Sequence, residues 1–589
     1  MPGVEDGTRE TGTFSVEAVG LARRHRSLSP SPPGRPGSPR RFRAGGAGLI
    51  LRVSAVCVRG IDWLTPTVRR WSRFWPHLCT VLFLVAVGWM IGRHEMWRDE
   101  IQAWLIARDA ATPLAVLRQT RYEGHPWLWH LLLWIPSRFT AHPAAMQGVH
   151  LLLAGATAFV ILRWAPFPPL IRLLLVGGYF FAYEWAVIAR NYGISALLFC
   201  VAAALHARRW RNAHWLGLTL AAASLTNVHS IILALVLAPA LAVEYAVAYA
   251  GNHRGARAVL PRALLGLALA AAGIGTGIRA VRPPADTGFA VAWHVQWSPA
   301  RVAETADRVI RAYAPLPVDQ PHFWNSNRLL AEGARPPEER PAWGVPPERR
   351  TAVAGWILLA GALFLWRRPW PAVPFAVGSI GLLVFFYVKY MGAVRHHGFL
   401  FLWFVVSLWM SRQIEPWHLP WPRIDAALAW WDRRQVWLLA PLLALHVSSA
   451  SVAWRRDATT VFSQGRAAAA YLAAQYTPPE HYVWAGHPSP HASTVVGYLQ
   501  RPRIYYLDRA DFGSYVIWDH ARLTPGHDAA LLTRLRELRT RAPGPLVFIS
   551  GRRLSSGLVR RAQLRLRARF EDSISGESYF IYDDVETES

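Results

Sequence analysis

Pro76-His77-Leu78-Cys79-Thr80-Val81-Leu82-Phe83-Leu84-Val85-Ala86-Val87-Gly88-Trp89-Met90-Ile91-Gly92-Arg93 is an apolar run with no acidic residue, followed within six positions by Arg98-Asp99-Glu100. A run of that length spans a bilayer core of roughly 30 Å. A charged pair beside a span is costly unless it faces water, so by default it marks a functional surface.

Working outward, the same signal repeats. Hydrophobic residues make up 52% of the 589-residue chain and there are 30 Trp, which excludes an ordinary soluble enzyme. Eleven apolar segments read as spans: 76–93, 144–163, 170–188, 191–207, 214–228, 230–250, 262–281, 351–367, 371–390, 396–412 and 436–454. The Trp-rich piece 126–139 is shorter and reads as a helix lying in the interface. Residues 1–72, rich in Arg, Ser, Pro and Gly, lack the apolar content for a core and read as a disordered cytoplasmic tail. The membrane part is expected over 73–454, with outer loops at 94–143 and 282–350.

Charge tests this layout, because cytoplasmic loops carry the Arg excess. With the N-terminus inside, Arg69-Arg70, Arg163 with Arg172, Arg208-Arg209, Arg254 with Arg257 and Arg262, Arg367-Arg368 and Arg433-Arg434 all fall on the inner side. The net charge of +27 is thus a topology signal, not a sign of a nucleic-acid partner. The three cysteines, Cys57, Cys79 and Cys200, have neither metal-ligand nor CxxC spacing. After 454, runs such as Tyr482-Val483-Trp484, Ile504-Tyr505-Tyr506-Leu507 and Leu546-Val547-Phe548-Ile549 alternate with helical patterns near 464–475 and 526–540, so 455–589 reads as an extracytoplasmic α/β domain.

The layout also brings polar residues to the outer side that were not used to build it: Asp99, Glu100, Glu123 and His125 from the first loop, Arg190 and Tyr192 between the third and fourth spans, Asn227 and His229 between the fifth and sixth, and Lys389, Arg395, His396 and His397 between the ninth and tenth. Blander readings stand beside this one. Asp99 followed by Gln102 is also an N-cap with a capping-box partner, Arg190 and Arg395 also read as snorkelling to headgroups, and His229 as a structural histidine. Adjacent His396 and His397 point about 100° apart on a helix and so do not share an ion. Glu184 and Glu244 stand isolated in the sequence, and Glu244, near the inner end of the sixth span, reads as a solvated or paired surface residue.

Asp99-Glu100, then Tyr122-Glu123-Gly124-His125-Pro126-Trp127-Leu128, resembles the Asp-Glu and His-Pro-Pro-Leu elements of GT-C glycosyltransferases of the protein O-mannosyltransferase and aminoarabinose-transferase type (glycosyltransferase family 39-like). Ala189-Arg190-Asn191-Tyr192 is similar to that group's Arg-x-Tyr element, and the resemblance covers roughly residues 76–410. Trp127 departs from it where a second proline is usual. The resemblance implies an α-helical polytopic membrane enzyme that transfers a hexosyl or pentosyl group, with inversion, from a polyprenyl-phosphate donor to a lipid, glycan or protein acceptor hydroxyl at the outer face of the inner membrane. A base must take the acceptor proton, and Asp99 is the candidate, with Glu100 or Glu123 assisting. Arg190, Arg395 and Lys389 are the cations for the leaving phosphate, with His125, Tyr192, His229 and His396 around the substrate. Since these cations do the work of a divalent ion, metal dependence is not favoured. A polytopic transporter or flippase, or a lipid-linked glycan ligase, remains the alternative.

Overall fold

The structure is a computed structural model that describes residues 65–251, 256–288, 291–330, 344–522 and 528–584. Of the expected tail, residues 1–64 lie outside the described residues, and helix α1, Thr65–Arg93, begins inside its last part. From Trp71 onward the chain forms one unit.

Among the described residues six helical stretches are long and apolar enough to cross a membrane: Phe74–Arg93, Ala144–Trp164, Val228–Ala250, Arg257–Val281, Pro369–Val388 and Pro422–Thr459. This is a multi-pass membrane protein. The other five expected spans differ for visible reasons. The segment 170–188 is broken: helix Pro169–Val176 stops at Gly177 and is followed by a π-helical turn, Phe180–Glu184. Helices Asn191–His206 and Ala213–Ser224 have 16 and 12 residues, and at 1.5 Å per residue the second reaches only about 18 Å. Helix Pro347–Leu365 opens with Glu348, Arg349 and Arg350, and helix Val394–Ser411 with Arg395-His396-His397.

Helix Val394–Ser411 is buried along its whole length, which is why its first turn can carry three ionisable residues: they face protein and not lipid. Helices Ala213–Ser224 and Ala256–Val281 touch through small residues. A Cβ on Gly217 would sit 1.9 Å from the Gly266 carbonyl oxygen, and one on Gly273 would sit 2.3 Å from Ala221 Cα. Close backbone approach of this kind replaces hydrophobic driving force where lipid is the solvent.

The helices have two unlike ends. At one, Arg209 pairs with Glu244 at 2.5 Å and Arg368 makes two 2.8 Å bonds to Asp432. Of the two readings of Glu244, solvated or paired, the structure shows the paired one. The other ends of the same helices carry Asn191, His229, Lys389 and Arg395.

Helix Leu439–Thr459 runs past the expected limit of 454 and leads into a six-stranded sheet with helices on both faces. The strands are β1 (Val483–His487), β2 (Ile504–Tyr506), β3 (Asp511–Gly513), β4 (Leu546–Ser550), β5 (Leu564–Phe570) and β6 (Tyr579–Asp584), in the order β3-β2-β1-β4-β6-β5. β1 is parallel to β2 and β4, and the outer pairs are antiparallel. Ala485, Tyr505 and Phe548 face one apolar layer while Trp484, Ile504 and Ile549 face the other, the alternation expected of strands covered on both sides.

Candidate active site

Helix α2, Arg98–Asp109, carries the acidic pair at its start. The N-cap position is Trp97, and it is the Glu100 side chain that accepts the Trp97 N–H, at 3.2 Å. Asp99 is therefore not the cap, and Gln102 is not its capping partner. The capping distance of three residues selects Glu100, which turns Asp99 outward.

There the Asp99 carboxylate meets two guanidinium groups through Oδ2, while its Oδ1 lies 4.0 Å from the more exposed Arg98. Oδ2 lies 2.9 Å from Arg190 Nη1 and 3.6 Å from Arg395 Nη2. The arginine side chains are 12% and 10% exposed and Asp99 is 32% exposed, so this is a recessed cluster open on the carboxylate side and not a pair of arginines reaching for headgroups. Arg395 also lies against two indoles that pack edge to face on each other, its guanidinium carbon 5.6 Å from the Trp97 ring and 5.3 Å from Trp324. Weakly hydrated guanidinium tolerates that setting.

Glu100 is fully buried and occupied internally. Beside Trp97 N–H it accepts the Ala189 N–H at 2.6 Å and faces His94 Nε2 at 3.0 Å. The structure braces it against the segment that carries Arg190, with both of its oxygens taken by internal partners.

Glu123 closes the other side. Gly124 has φ +66°, a conformation natural to glycine, and this turn brings Glu123 Oε1 to the Gln102 Nε2 donor at 2.8 Å. The same Gln102 amide exchanges two bonds with the Val516 backbone, 2.8 and 2.9 Å long. Burial pushes the Glu123 carboxyl up to about 7, opposed by Gln102 and Arg190 and helped by Asp99. Burial and the nearby Arg190 charge hold the His125 imidazole well below its ordinary range, so it is neutral at pH 7.

Behind the arginines lies an aromatic and imidazole layer. The Ala393 N–H donates to His396 Nδ1 at 2.7 Å, so a neutral ring carries its proton on Nε2, 2.7 Å from Tyr192 Oη. Tyr192 then accepts that bond and keeps its own O–H to donate. His229 stacks on His396, centroids 5.2 Å apart, and on Phe399. His397 Nε2 takes a different partner, the Met391 carbonyl at 2.8 Å.

Lys389 departs from the expected cluster. Its Nζ is 2.5 Å from the Val291 carbonyl and 4.5 Å from the Trp293 ring centroid, so it serves the 291–293 loop. Sequence reading missed two members altogether, His94 and Asp457. His94 follows the first span directly, and Asp457 lies beyond the expected end of the last one, 363 positions away. Glu184, read as isolated, accepts from Tyr179 Oη and Trp324 Nε1, both at 3.0 Å.

No family model and no curated protein sequence matches this chain. Among solved structures it is similar to ArnT from Cupriavidus metallidurans in the apo state, at 14% identity and a TM-score of 0.43, covering 86% of this chain and 98% of that one. It is likewise similar to ArnT from the same organism bound to undecaprenyl phosphate, at 12% identity and a TM-score of 0.44 with the same coverage. Likeness at that level assigns no activity, and the functional reading rests on the residues of this chain.

Proposed function

We propose that this protein is a membrane glycosyltransferase that moves a sugar from a polyprenyl-phosphate donor to an acceptor hydroxyl, with Asp99 at the reacting centre. The observation that carries the reading is one carboxylate oxygen shared by two recessed arginines, at 2.9 and 3.6 Å, with Glu123 beside it. Two converging guanidinium groups suit a phosphate monoanion, and a carboxylate between them suits removal of a proton from the attacking hydroxyl.

The steps balance without a further reactant. The acceptor oxygen attacks the anomeric carbon as the bond from that carbon to the phosphate oxygen breaks, and the configuration inverts. The electron pair leaves on the polyprenyl phosphate, where Arg190 and Arg395 offset the developing charge. The hydroxyl proton goes to Asp99 Oδ2, which the incoming phosphate frees by drawing the guanidinium groups to itself. Glu123, with its carboxyl near 7, is about half ionised at neutral pH; in that ionised form it takes the proton from Asp99 and releases it to water, which restores both carboxyls. Glu100 aligns the backbone and takes no proton.

The end rich in Arg–Asp and Arg–Glu pairs is read as cytoplasmic, which puts this site and the α/β domain at the outer face of the cytoplasmic membrane. Helix Leu128–Ser137 then lies in the interface. The exposed Trp293 and Trp297 suit sugar stacking or an interfacial position. The test is a mass-spectrometric comparison of cell-envelope glycans and lipids from cells with the protein, without it, and with Asp99→Asn. A sugar lost from one component in both altered strains supports transfer. A sugar retained with Asp99→Asn favours a transporter or ligase that does not need the acid.

A further inference from the structure

His94 is completely buried, and each ring nitrogen faces a carboxylate: Nε2 is 3.0 Å from Glu100 Oε2 and Nδ1 is 2.9 Å from Asp457 Oδ2. At those distances both nitrogens donate, so the ring is an imidazolium. Burial acts to lower its pKa, but the charges of Asp457 and Glu100 outweigh burial and push it up to about 10. Asp457 is held in turn by the Tyr183 hydroxyl at 3.0 Å.

A buried ion triplet is an expensive way to join two helices and the segment that follows a third, since apolar side chains of similar volume do so at no desolvation cost. Its placement explains the expense. Glu100 follows Asp99 in sequence, and its other oxygen accepts the N–H of Ala189, which precedes Arg190, at 2.6 Å. One carboxylate thereby registers the backbone under both members of the Asp99–Arg190 pair. His94 fixes that carboxylate, and Asp457 fixes His94 from the last membrane helix. The grip continues into the α/β domain: Phe462 N–H donates to Glu95 at 2.9 Å, Arg466 donates to the His94 carbonyl at 3.1 Å, and Tyr498 Oη donates to the Met96 carbonyl at 3.2 Å. Binding groups work only when held close to the productive geometry by locked neighbours.

We infer that His94 and Asp457 are positioning residues, an imidazolium strut acting through Glu100 to set the geometry of Asp99 and Arg190 for the lipid phosphate. This rests on the glycosyltransferase reading above. The test measures binding of undecaprenyl phosphate to the purified full-length chain in detergent, on the monodisperse folded fraction, for His94→Gln, Glu100→Gln, the double variant, Asp457→Asn and Arg190→Ala, with Tm recorded alongside. The inference expects His94→Gln and Glu100→Gln each to weaken binding by about 10-fold or more, since small misplacements of a binding group cost orders of magnitude. It expects the double variant to be no worse than either single one, because residues acting in series are not additive. Asp457→Asn, which leaves the contact between His94 and Glu100 in place, is expected to weaken binding too and serves if His94→Gln does not fold. A fall in Tm with unchanged affinity, or additive losses in the double variant, overturns the strut. If Arg190→Ala itself leaves affinity unchanged, the phosphate site is wrong and the functional reading falls instead.

Discussion

Replacing Asp99 by Asn is expected to slow transfer while tightening the hold on lipid phosphate, two effects of opposite sign from one charge. The carboxylate lies 2.9 Å from Arg190 and 3.6 Å from Arg395, in the place the proposed function gives to a phosphate oxygen. A unit pair at 4 Å is worth about 4 kcal/mol gross at an effective dielectric near 20. Desolvation, and the one-third exposure of Asp99, leave only part of that as net. A net competition of about 1.4 to 2.8 kcal/mol converts to roughly 10- to 100-fold tighter binding of undecaprenyl phosphate when the charge is removed. Loss of a general base lowers the rate by about 10² to 10⁴. The empty variant should also melt at a lower temperature, because two recessed guanidinium groups lose their partner, and should recover when ligand is added. The assay is an isothermal titration of undecaprenyl phosphate into wild type and Asp99→Asn in the same detergent. Equal or weaker binding by the variant would refute the idea that carboxylate and phosphate compete for the same arginines.

Other expectations are narrower. Because the Glu123 carboxyl is raised to about 7 from an ordinary value near 4.3, its contribution to stability is fully present below that ordinary value and is lost as pH rises through about 7. Glu123→Gln should therefore flatten the dependence of Tm on pH between about 4.3 and 7, and Glu577, also pushed up to about 7 by burial, is one contributor to what remains. Gln102→Ala removes the donor to Glu123 and both bonds to Val516; leaving the buried Val516 groups unpaired is expected to cost about 1–3 kcal/mol, read as a lower Tm and faster proteolysis near 514–520. Gly217→Leu cannot fit, since even a Cβ would lie 1.9 Å from the Gly266 carbonyl oxygen, and the variant should lose its monodisperse elution in detergent while Gly275→Ala, with open space around it, should not.

The sequence held much of this because its strongest signals are local. Apolar run length marks helices such as Val228–Ala250, and the Glu123-Gly124-His125-Pro126 turn announces itself through a glycine that has φ +66°. What was hidden depends on contacts between distant segments. Whether Asp99 or Glu100 caps helix Arg98–Asp109 turns on one residue of offset, and the winner is decided by Ala189 and His94, which give Glu100 its other partners. Asp457 lies just past the expected end of the last span, in the stretch assigned to the α/β domain, and only the fold brings it to His94. Lys389 shares a side with Arg395 in any topology diagram, yet its chain ends on Val291 and Trp293. The break at Gly177 was masked by apolar residues on both sides, because run length cannot register where a buried Glu184 finds Tyr179 and Trp324.

The central claim is that Asp99 serves sugar transfer from a polyprenyl-phosphate donor. Its most direct test is acceptor-dependent release of polyprenyl phosphate from a panel of polyprenyl-phosphate sugars by the purified full-length protein, with extracted envelope lipids and glycans as acceptors. The account predicts release by the wild type with at least one donor, and release slower by about 10² or more with Asp99→Asn; release at the full wild-type rate by that variant would contradict it.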